Sequence, residues 1–363
     1  MQKLDVAVLG ATGAVGQRFI QLLENHPWFR VAEVIGSDRS AGRTYGEAVR
    51  WVLDGSPPNS ILDLQVKPLD APLTSPLVFS ALPKEAAELR EIELAAAGHV
   101  VCTNASAHRM ADDVPLLLPE INSEHLSLIE VQRQQRGWTS GALVANSNCT
   151  IMPVVMALAP LLKFGVSKVM IVSAQAISGA GYPGIASLDI LDNMIPYVGG
   201  EEEKVETEPL KMLGHFGGES IIPLDAVMSA SCNRAPVIDG HLVNVSMELR
   251  DKPSLDAVID AWNSFRGLDP VPSLPSAPKQ PVIYMTQPDR PQPRRDRSAG
   301  NGMSTSVGRL RPDPLLGYKF VALSHNTIRG AAGCSILNAE LMAVQGYLGS
   351  FQPSVSVPEL TRS

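Results

Sequence analysis

The chain has 363 residues, of which 45% are apolar and 18% charged, with a formal net charge of −7. That length exceeds one ordinary hydrophobic core, so a soluble globular protein of two domains is expected. Lysine and arginine are scattered and outnumbered, which argues against a nucleic-acid or anionic-membrane surface, and no apolar run reaches the ~18 residues of a membrane span.

The opening "MQKLDVAVLG" runs from one lysine into a strand with an acid in it, a poor match to a signal peptide. After the strand "LDVAVLG", "AVGQRFIQLLENHP" has apolar residues at helical spacing, with Val15, Phe19, Leu22 and Leu23 on one face. "RVAEVIG" is a second strand, and this β-α-β order calls for a parallel sheet with a right-handed crossover. "SPLVFSALP", "HVVCTNA" and "ALVANSN" read as further buried strands, with "KEAAELREIELAAAG" as a helix between the first two. Residues 1–148 therefore read as one doubly wound α/β domain. Beyond it, "VSKVMIVSAQAISGAG", "HLVNVSMELR" and "KFVALSHNT" are longer and more alternating, which predicts an α+β domain on a mixed sheet over 149–329. The Pro-, Arg- and Gly-dense segment 273–302 reads as a long ordered loop. The helix within 330–350 is expected to return to the first domain, and 351–363 to form a loose tail.

"VLGATGAVGQRF" sets Gly10, Gly13 and Gly16 between the first strand and first helix. Glycines permit a tight turn, and the free N–H groups of a helix start attract a pyrophosphate. A merely tight turn is the plain alternative, but the position opening a β-α-β unit points to a dinucleotide site. Thr12, Ala14 and Val15 in the turn, with Ser80 and Ala81 after a later strand, are counted with it. At the end of the second strand, Ser37, Arg39 and Ser40 suit the 2′-phosphate of NADP, although Asp38 cuts the other way.

Four cysteines lie far apart with no disulfide or C-x-x-C spacing, which fits a reducing cytoplasm. In "LVANSNCTIMPVV", Asn148 or Ser147 can cap the following helix and Pro153 is tolerable in its first turn. Cys149 would then sit at a helix N-terminus, where the partial positive charge favours thiolate. Locally a small buried cysteine is the better reading, since free cysteine is among the most buried residue types. Pro160 is expected to kink that helix.

The wider pattern changes the balance. "GATGAVGQRF", "SNCT", "QAISGAGYPG", "GEEEK", "CNRAPVIDGH", "DRSAGNGMSTSVGRLR" and "LSHNTIRGAAG", in this order over about residues 4–345, resemble aspartate-semialdehyde dehydrogenase, specifically its archaeal and fungal branch. The resemblance implies a Rossmann-like NADP-binding domain followed by a catalytic and dimerisation domain. It implies reduction of L-aspartyl 4-phosphate by NADPH to aspartate 4-semialdehyde and phosphate, toward lysine, threonine and methionine. Cys149 falls on the nucleophile motif and His241 on the acid/base, with Gln175 orienting the substrate or the site. Arg234 matches the arginine that grips the substrate carboxylate. Glu201 matches the acid holding the ammonium, and Lys204 and Arg109 match phosphate ligands. Asn148 is counted with the substrate site; Asn326, Ser178 and Gly179 with the nicotinamide. A homodimer or homotetramer is implied.

Each role has a chemical reason of its own. Arg234 presents a planar fork suited to a carboxylate, and Glu201 and Lys204, at i and i+3, share one helix face. His241 is expected to titrate near neutrality, as a proton shuttle should. Glu202 or Glu203 could replace Glu201 as the ligand. His26, His99, His125 and His215 match no metal spacing, so no metal is expected, and His108 is expected only to pack. Leu242, where a smaller or polar residue is expected after the histidine, touches the pocket's shape rather than its chemistry. One rival is a malonyl-CoA reductase, which has no ammonium for Glu201 to hold. Another is a nucleotide-sensing protein without catalysis, which would need no Cys149.

Overall fold

In a computed structural model, which describes residues 2–353, the chain folds into two units. The first gathers Met1–Asn146, Leu268–Ala277 and Ser335–Ser363, within the described residues; the second gathers Ser147–Gly267 and Pro278–Cys334. The segment 268–277, counted within the second domain over 149–329, belongs to the first unit. The tail expected over 351–363 lies, from residue 354, outside the described residues.

The first unit starts with β1 (Leu4–Leu9), α1 (Ala14–Leu23) and β2 (Phe29–Ile35). It continues through α2 (Tyr45–Ala48), β3 (Val66–Lys67), β4 (Leu77–Ser80), α3 (Lys84–Ala96) and β5 (Val100–Thr103), then α4 (Pro119–Asn122), α5 (Leu128–Arg136) and β6 (Ala142–Ala145). The strands form one parallel sheet in the order β3-β2-β1-β4-β5-β6. The order reverses between β1 and β4, and in doubly wound sheets a ligand binds where it reverses, beyond the carboxyl ends of the strands. β4, β5 and β6 are buried along their whole length, which is why they read as continuous apolar runs.

The buried stripe of α1 is Gly16, Phe19, Ile20 and Leu23, with Gln17 beside it, and not the predicted Val15 and Leu22, which sit on the flanks. Phe19 stacks on Phe79 of β4 at 4.9 Å between ring centres. Burying each such large side chain contributes about 1.5–3 kcal/mol, which fixes α1 and so the turn that feeds it. Gln17 holds that turn too: its amide N–H donates to Thr12 O and Arg50 O, and its oxygen accepts from Val52 N–H.

The second unit begins with α6 (Ile151–Leu158) and β7 (Val166–Gln175). Then come α7 (Ser187–Ile190), α8 (Glu201–Met212), a small hairpin of β8 (His215–Phe216) and β9 (Ile221–Ile222), β10 (Val227–Arg234) and β11 (His241–Leu249). α9 (Leu255–Ser264), β12 (Val282–Met285), α10 (Pro293–Asp296), β13 (Thr305–Asp313) and β14 (Gly317–Ser324) complete it, before the chain enters α11 (Gly333–Val344), the last helix among the described residues. The large sheet runs β10-β7-β11-β14-β13-β12 and is mixed. Two expectations are corrected. Segment 273–302 is not all loop: residues 282–285 are an edge strand paired in parallel with β13, and 293–296 a helical turn. Pro160 does not kink a helix; α6 ends at Leu158 and the chain tightens into a 3₁₀ turn over 159–164 with Pro160 near its start.

Among the described residues no helix is long and apolar enough to cross a membrane.

Candidate active site

Three strands bring the second unit's polar groups together by register. β10 and β7 run parallel with Arg234 opposite Gln175 at their carboxyl ends, while antiparallel β11 starts beside them at His241. Side chains alternate along a strand, and Gln175, Arg234 and His241 fall on buried positions, at 1%, 6% and 0% exposure. Cys149 lies in the turn two residues before α6 and is half-buried, whereas Cys102, Cys232 and Cys334 are buried. Its Sγ stands 3.2 Å from His241 Nε2.

Neighbouring groups fix this couple. The Ala176 N–H donates to His241 Nδ1 at 3.0 Å, and the Ala176 carbonyl accepts from Arg234 Nη1 at 2.7 Å, so one residue clamps both side chains. Two glycines make the room. A Cβ at position 330 would lie 2.6 Å from the Cys149 Cβ, and one at 179 would lie 2.9 Å from both His241 Cε1 and Arg234 Nη1. Gly330 sits in a π-helical turn over Ile328–Ala332, a local irregularity that recurs at functional sites.

Asn148 anchors the residue before the cysteine. Its N–H donates to Glu208 Oε2 at 2.8 Å, its amide N–H groups to both Glu201 oxygens at 2.8 and 2.9 Å, and its side-chain oxygen accepts from Thr150 N–H at 2.7 Å. The expected cap is corrected: the residue ahead of α6 is Thr150, with no side-chain cap bond, and Asn148 reaches only the Thr150 N–H in the turn before the helix. Glu201 also accepts from Lys204 Nζ at 3.2 Å, Gln175 Nε2 at 3.4 Å and the Thr150 hydroxyl at 3.4 Å. The three adjacent acids divide by helix geometry. Glu201 faces this cluster, Glu202 accepts from Cys232 N–H on the free edge of β10, and Glu203 is exposed. Glu206, one turn on, accepts from Ala230 N–H on that same edge.

Electrostatics overturn one expectation. His241 does not titrate near neutrality: burial above all, then the positive Arg234 and His325, pushes it down to about 3. Burial also pulls the Arg234 guanidinium down, opposed by Cys149 and Glu201. Asn326 braces the site from β14's end, accepting from Gly240 N–H at 2.8 Å and donating to the Ser178 hydroxyl at 2.7 Å. Sequence reasoning passed over Glu208, Ala176, His325 and Gly330. Glu208 alone had a signal, two turns after Glu201 on one face of α8; the others depend on the fold.

The first unit carries the other group of expected residues. Gly10 has φ +70, and a Cβ there would sit 2.6 Å from Ala81 O; one on Gly16 would sit 2.2 Å from Gly10 O. The turn therefore closes only without side chains. Gly13 caps α1 with no side-chain bond, so no cap side chain takes up the first N–H groups of the helix. Ser80 and Ala81 lie at the carboxyl end of β4 beside this turn, Ala81 N–H donating to Leu9 O at 3.0 Å. Ser37 and Arg39 are exposed just past β2, while the Ser40 hydroxyl folds back onto Ser37 O at 2.9 Å. This cradle, with a cation and a hydroxyl at its rim, fits a phosphorylated dinucleotide. Arg109 is buried in the first unit and donates to Asn104 O at 2.7 Å.

Residues 5–129 match the family described as semialdehyde dehydrogenase, NAD binding domain, and residues 158–329 the semialdehyde dehydrogenase dimerisation domain. An aspartate-semialdehyde dehydrogenase of Archaeoglobus fulgidus is 51% identical over 94% of this chain and 98% of its own. One from Schizosaccharomyces pombe is 44% identical, over 94% and 99%. The crystal structure of aspartate-semialdehyde dehydrogenase with NADP from Candida albicans superposes with a TM-score of 0.88 at 38% identity, covering 95% of this chain and all of that one.

Proposed function

The chain belongs to the aspartate-semialdehyde dehydrogenase family, and from that premise we propose that it reduces L-aspartyl 4-phosphate to L-aspartate 4-semialdehyde and phosphate through a thioester on Cys149. The observation that carries this reading is the Cys149–His241 couple at 3.2 Å inside a cluster holding Arg234, Glu201 and Lys204. The substrate presents a carboxylate, an ammonium and a phosphate, and these side chains are their chemical complements.

In this reading the Cys149 thiolate attacks the acyl carbon, and phosphate leaves from the tetrahedral adduct. Arg234 grips the carboxylate while Gln175 and Asn148 orient the reacting end. Glu201 takes the ammonium, and its existing bonds to Asn148 and Lys204 tie that recognition to the residue beside the nucleophile. Lys204 neutralises phosphate, and Arg109 is kept as a second phosphate ligand on the family resemblance. NADPH, held by the Gly10–Gly16 cradle with Ser37 and Arg39 at its 2′-phosphate, supplies the hydride that reduces the thioester. Covalent capture suits the chemistry, because a thioester accepts hydride where a carboxylate does not.

The protein is proposed to act as a homodimer or homotetramer in the cytoplasm. Supporting the assembly, β7 leaves Met170 and Val172 exposed on the sheet face opposite its buried residues, in the segment matching the dimerisation domain. NADPH oxidation assayed side by side with aspartyl phosphate and malonyl-CoA tests the function: turnover with aspartyl phosphate alone is expected, and turnover with malonyl-CoA alone overturns it.

A further inference from the structure

Asn148, the residue before Cys149, is buried, and each of its polar groups is engaged within the second unit. Its carbonyl accepts from Ile151 N–H at 3.1 Å and its side-chain oxygen from Thr150 N–H at 2.7 Å, which closes the turn that presents the sulfur. The other two groups go to one helix. The side-chain amide donates to both oxygens of Glu201, and the backbone N–H donates to Glu208 Oε2 at 2.8 Å. Seven residues make nearly two turns, so α8 presents both carboxylates on one face.

The substrate acts differently on these two holds. A carboxylate offers about four lone-pair sites. Glu201 already accepts twice from Asn148, and again from Lys204, Gln175 and Thr150. An arriving ammonium therefore competes with those donors, the Asn148 amide among them. Glu208 is 2% exposed and grips main chain, outside that competition. A hydrogen bond from an N–H to a carboxylate is also of the stronger kind.

We propose that Glu208 is a positioning residue, which through the Asn148 N–H keeps the Cys149 turn in place while Glu201 turns to the substrate ammonium. The inference rests on the proposed roles of Cys149 as nucleophile and Glu201 as ammonium ligand. Glu208 itself meets no reacting atom. Its loss falls on the alignment of the sulfur with the acyl carbon and spares the grip of Arg234 and Lys204 on the substrate. Misplacing a reacting group by about 1 Å costs about 10²-fold in rate, so the signature is a lower kcat at a nearly unchanged KM.

The test uses the full chain and two conservative variants, assayed by NADPH oxidation with aspartyl phosphate and counted per folded site, with folding read by melting temperature. Glu208→Gln keeps an oxygen acceptor at the same reach, and its kcat should stay within about fivefold of wild type. Glu208→Asp keeps the charge but falls one methylene short; its kcat should drop about 30–100-fold with KM shifted by under about threefold. The reverse order, equal losses in both variants, or a KM rise matching the fall in kcat overturns the proposal. If Glu208→Asp does not fold, Glu208→Met, similar in length and without the acceptor oxygen, takes its place under the same criteria. If wild type does not turn over aspartyl phosphate, the proposed function is wrong, and alkylation of Cys149 by iodoacetamide still decides the placement. Glu208→Gln should then match the wild-type alkylation rate within about twofold and Glu208→Asp depart from it by at least about fivefold. Glu208→Asp alkylated at the wild-type rate overturns the proposal.

Discussion

In the first unit, the residues offered to a dinucleotide lie in one short stretch, positions 10–16, with a rim at 37–40 and strand-end neighbours at 80 and 81. They work mostly through backbone and through missing side chains, as the 2.2 Å between Gly10 O and any Cβ on residue 16 makes plain. In the second unit the groups proposed to work are side chains from distant stretches: Cys149 and His241 meet although 92 residues separate them. Gln175 and Arg234 meet only through strand register. A site of local backbone is specified by spacing within one turn, so one substitution spoils it by sterics. A site of gathered side chains is specified by register, so each member can be removed while the frame stands, and the losses report chemistry rather than collapse.

The largest effect should come from the second unit. Cys149→Ser should fold normally yet lose about 10⁴-fold or more in turnover, because a hydroxyl is a poor nucleophile without thiolate character. Circular dichroism and steady-state kinetics on the same sample check both halves. Next, Arg234→Leu should cost about 10²–10³-fold in kcat/KM with aspartyl phosphate. Glu201→Leu should cost at least about tenfold, because it removes the proposed ammonium partner and frees Asn148 beside the proposed nucleophile. It should leave any malonyl-CoA turnover unchanged or improved. A cost under about threefold would put the ammonium site elsewhere.

The first unit should give smaller and differently signed effects. Wild type should prefer NADPH over NADH by at least about tenfold in kcat/KM, about 1.4 kcal/mol, and Arg39→Asp should shrink or invert that preference. Equal use of both cofactors by wild type would remove the role given to Ser37 and Arg39.

Protonation separates the units most finely. Glu91, fully buried beneath the Thr103 hydroxyl at 2.7 Å, is raised by burial from 4.5 to about 7. Between those values the folded chain keeps a proton that the unfolded chain releases, so stability falls as pH rises through that window. His241 works the opposite way: between 6.5 and about 3 the unfolded chain takes the proton first, so stability falls as pH drops. Glu91→Gln should therefore raise the melting temperature by about 1–3 °C at pH 8 and leave it unchanged at pH 4.5, as read by scanning fluorimetry.

The same contrast explains what could be read from sequence. The β-α-β opening and its glycines announce themselves because their physics is local. The proposed catalytic set was reached through the resemblance, since a lone histidine in "IDGH" shows neither its burial nor the N–H that fixes its ring. That is why a titration near neutrality was expected and a value of about 3 found. Among "GEEEK", only α8's rotation against β10 separates Glu201 from Glu202. The edge strand at 282–285 was hidden because four apolar residues between prolines resemble a loop until a parallel partner pairs with them. Pro160 was read as a kink because sequence shows that a helix is broken there, not whether it resumes.

The most direct test of the account is mass spectrometry of the chain after brief mixing with aspartyl phosphate in the absence of NADPH, quenched in acid and digested. The account predicts one aspartyl adduct on the peptide carrying Cys149, formed with stoichiometric phosphate release and absent from Cys149→Ser. Phosphate release with no adduct, or an adduct on Cys102, Cys232 or Cys334, would contradict it.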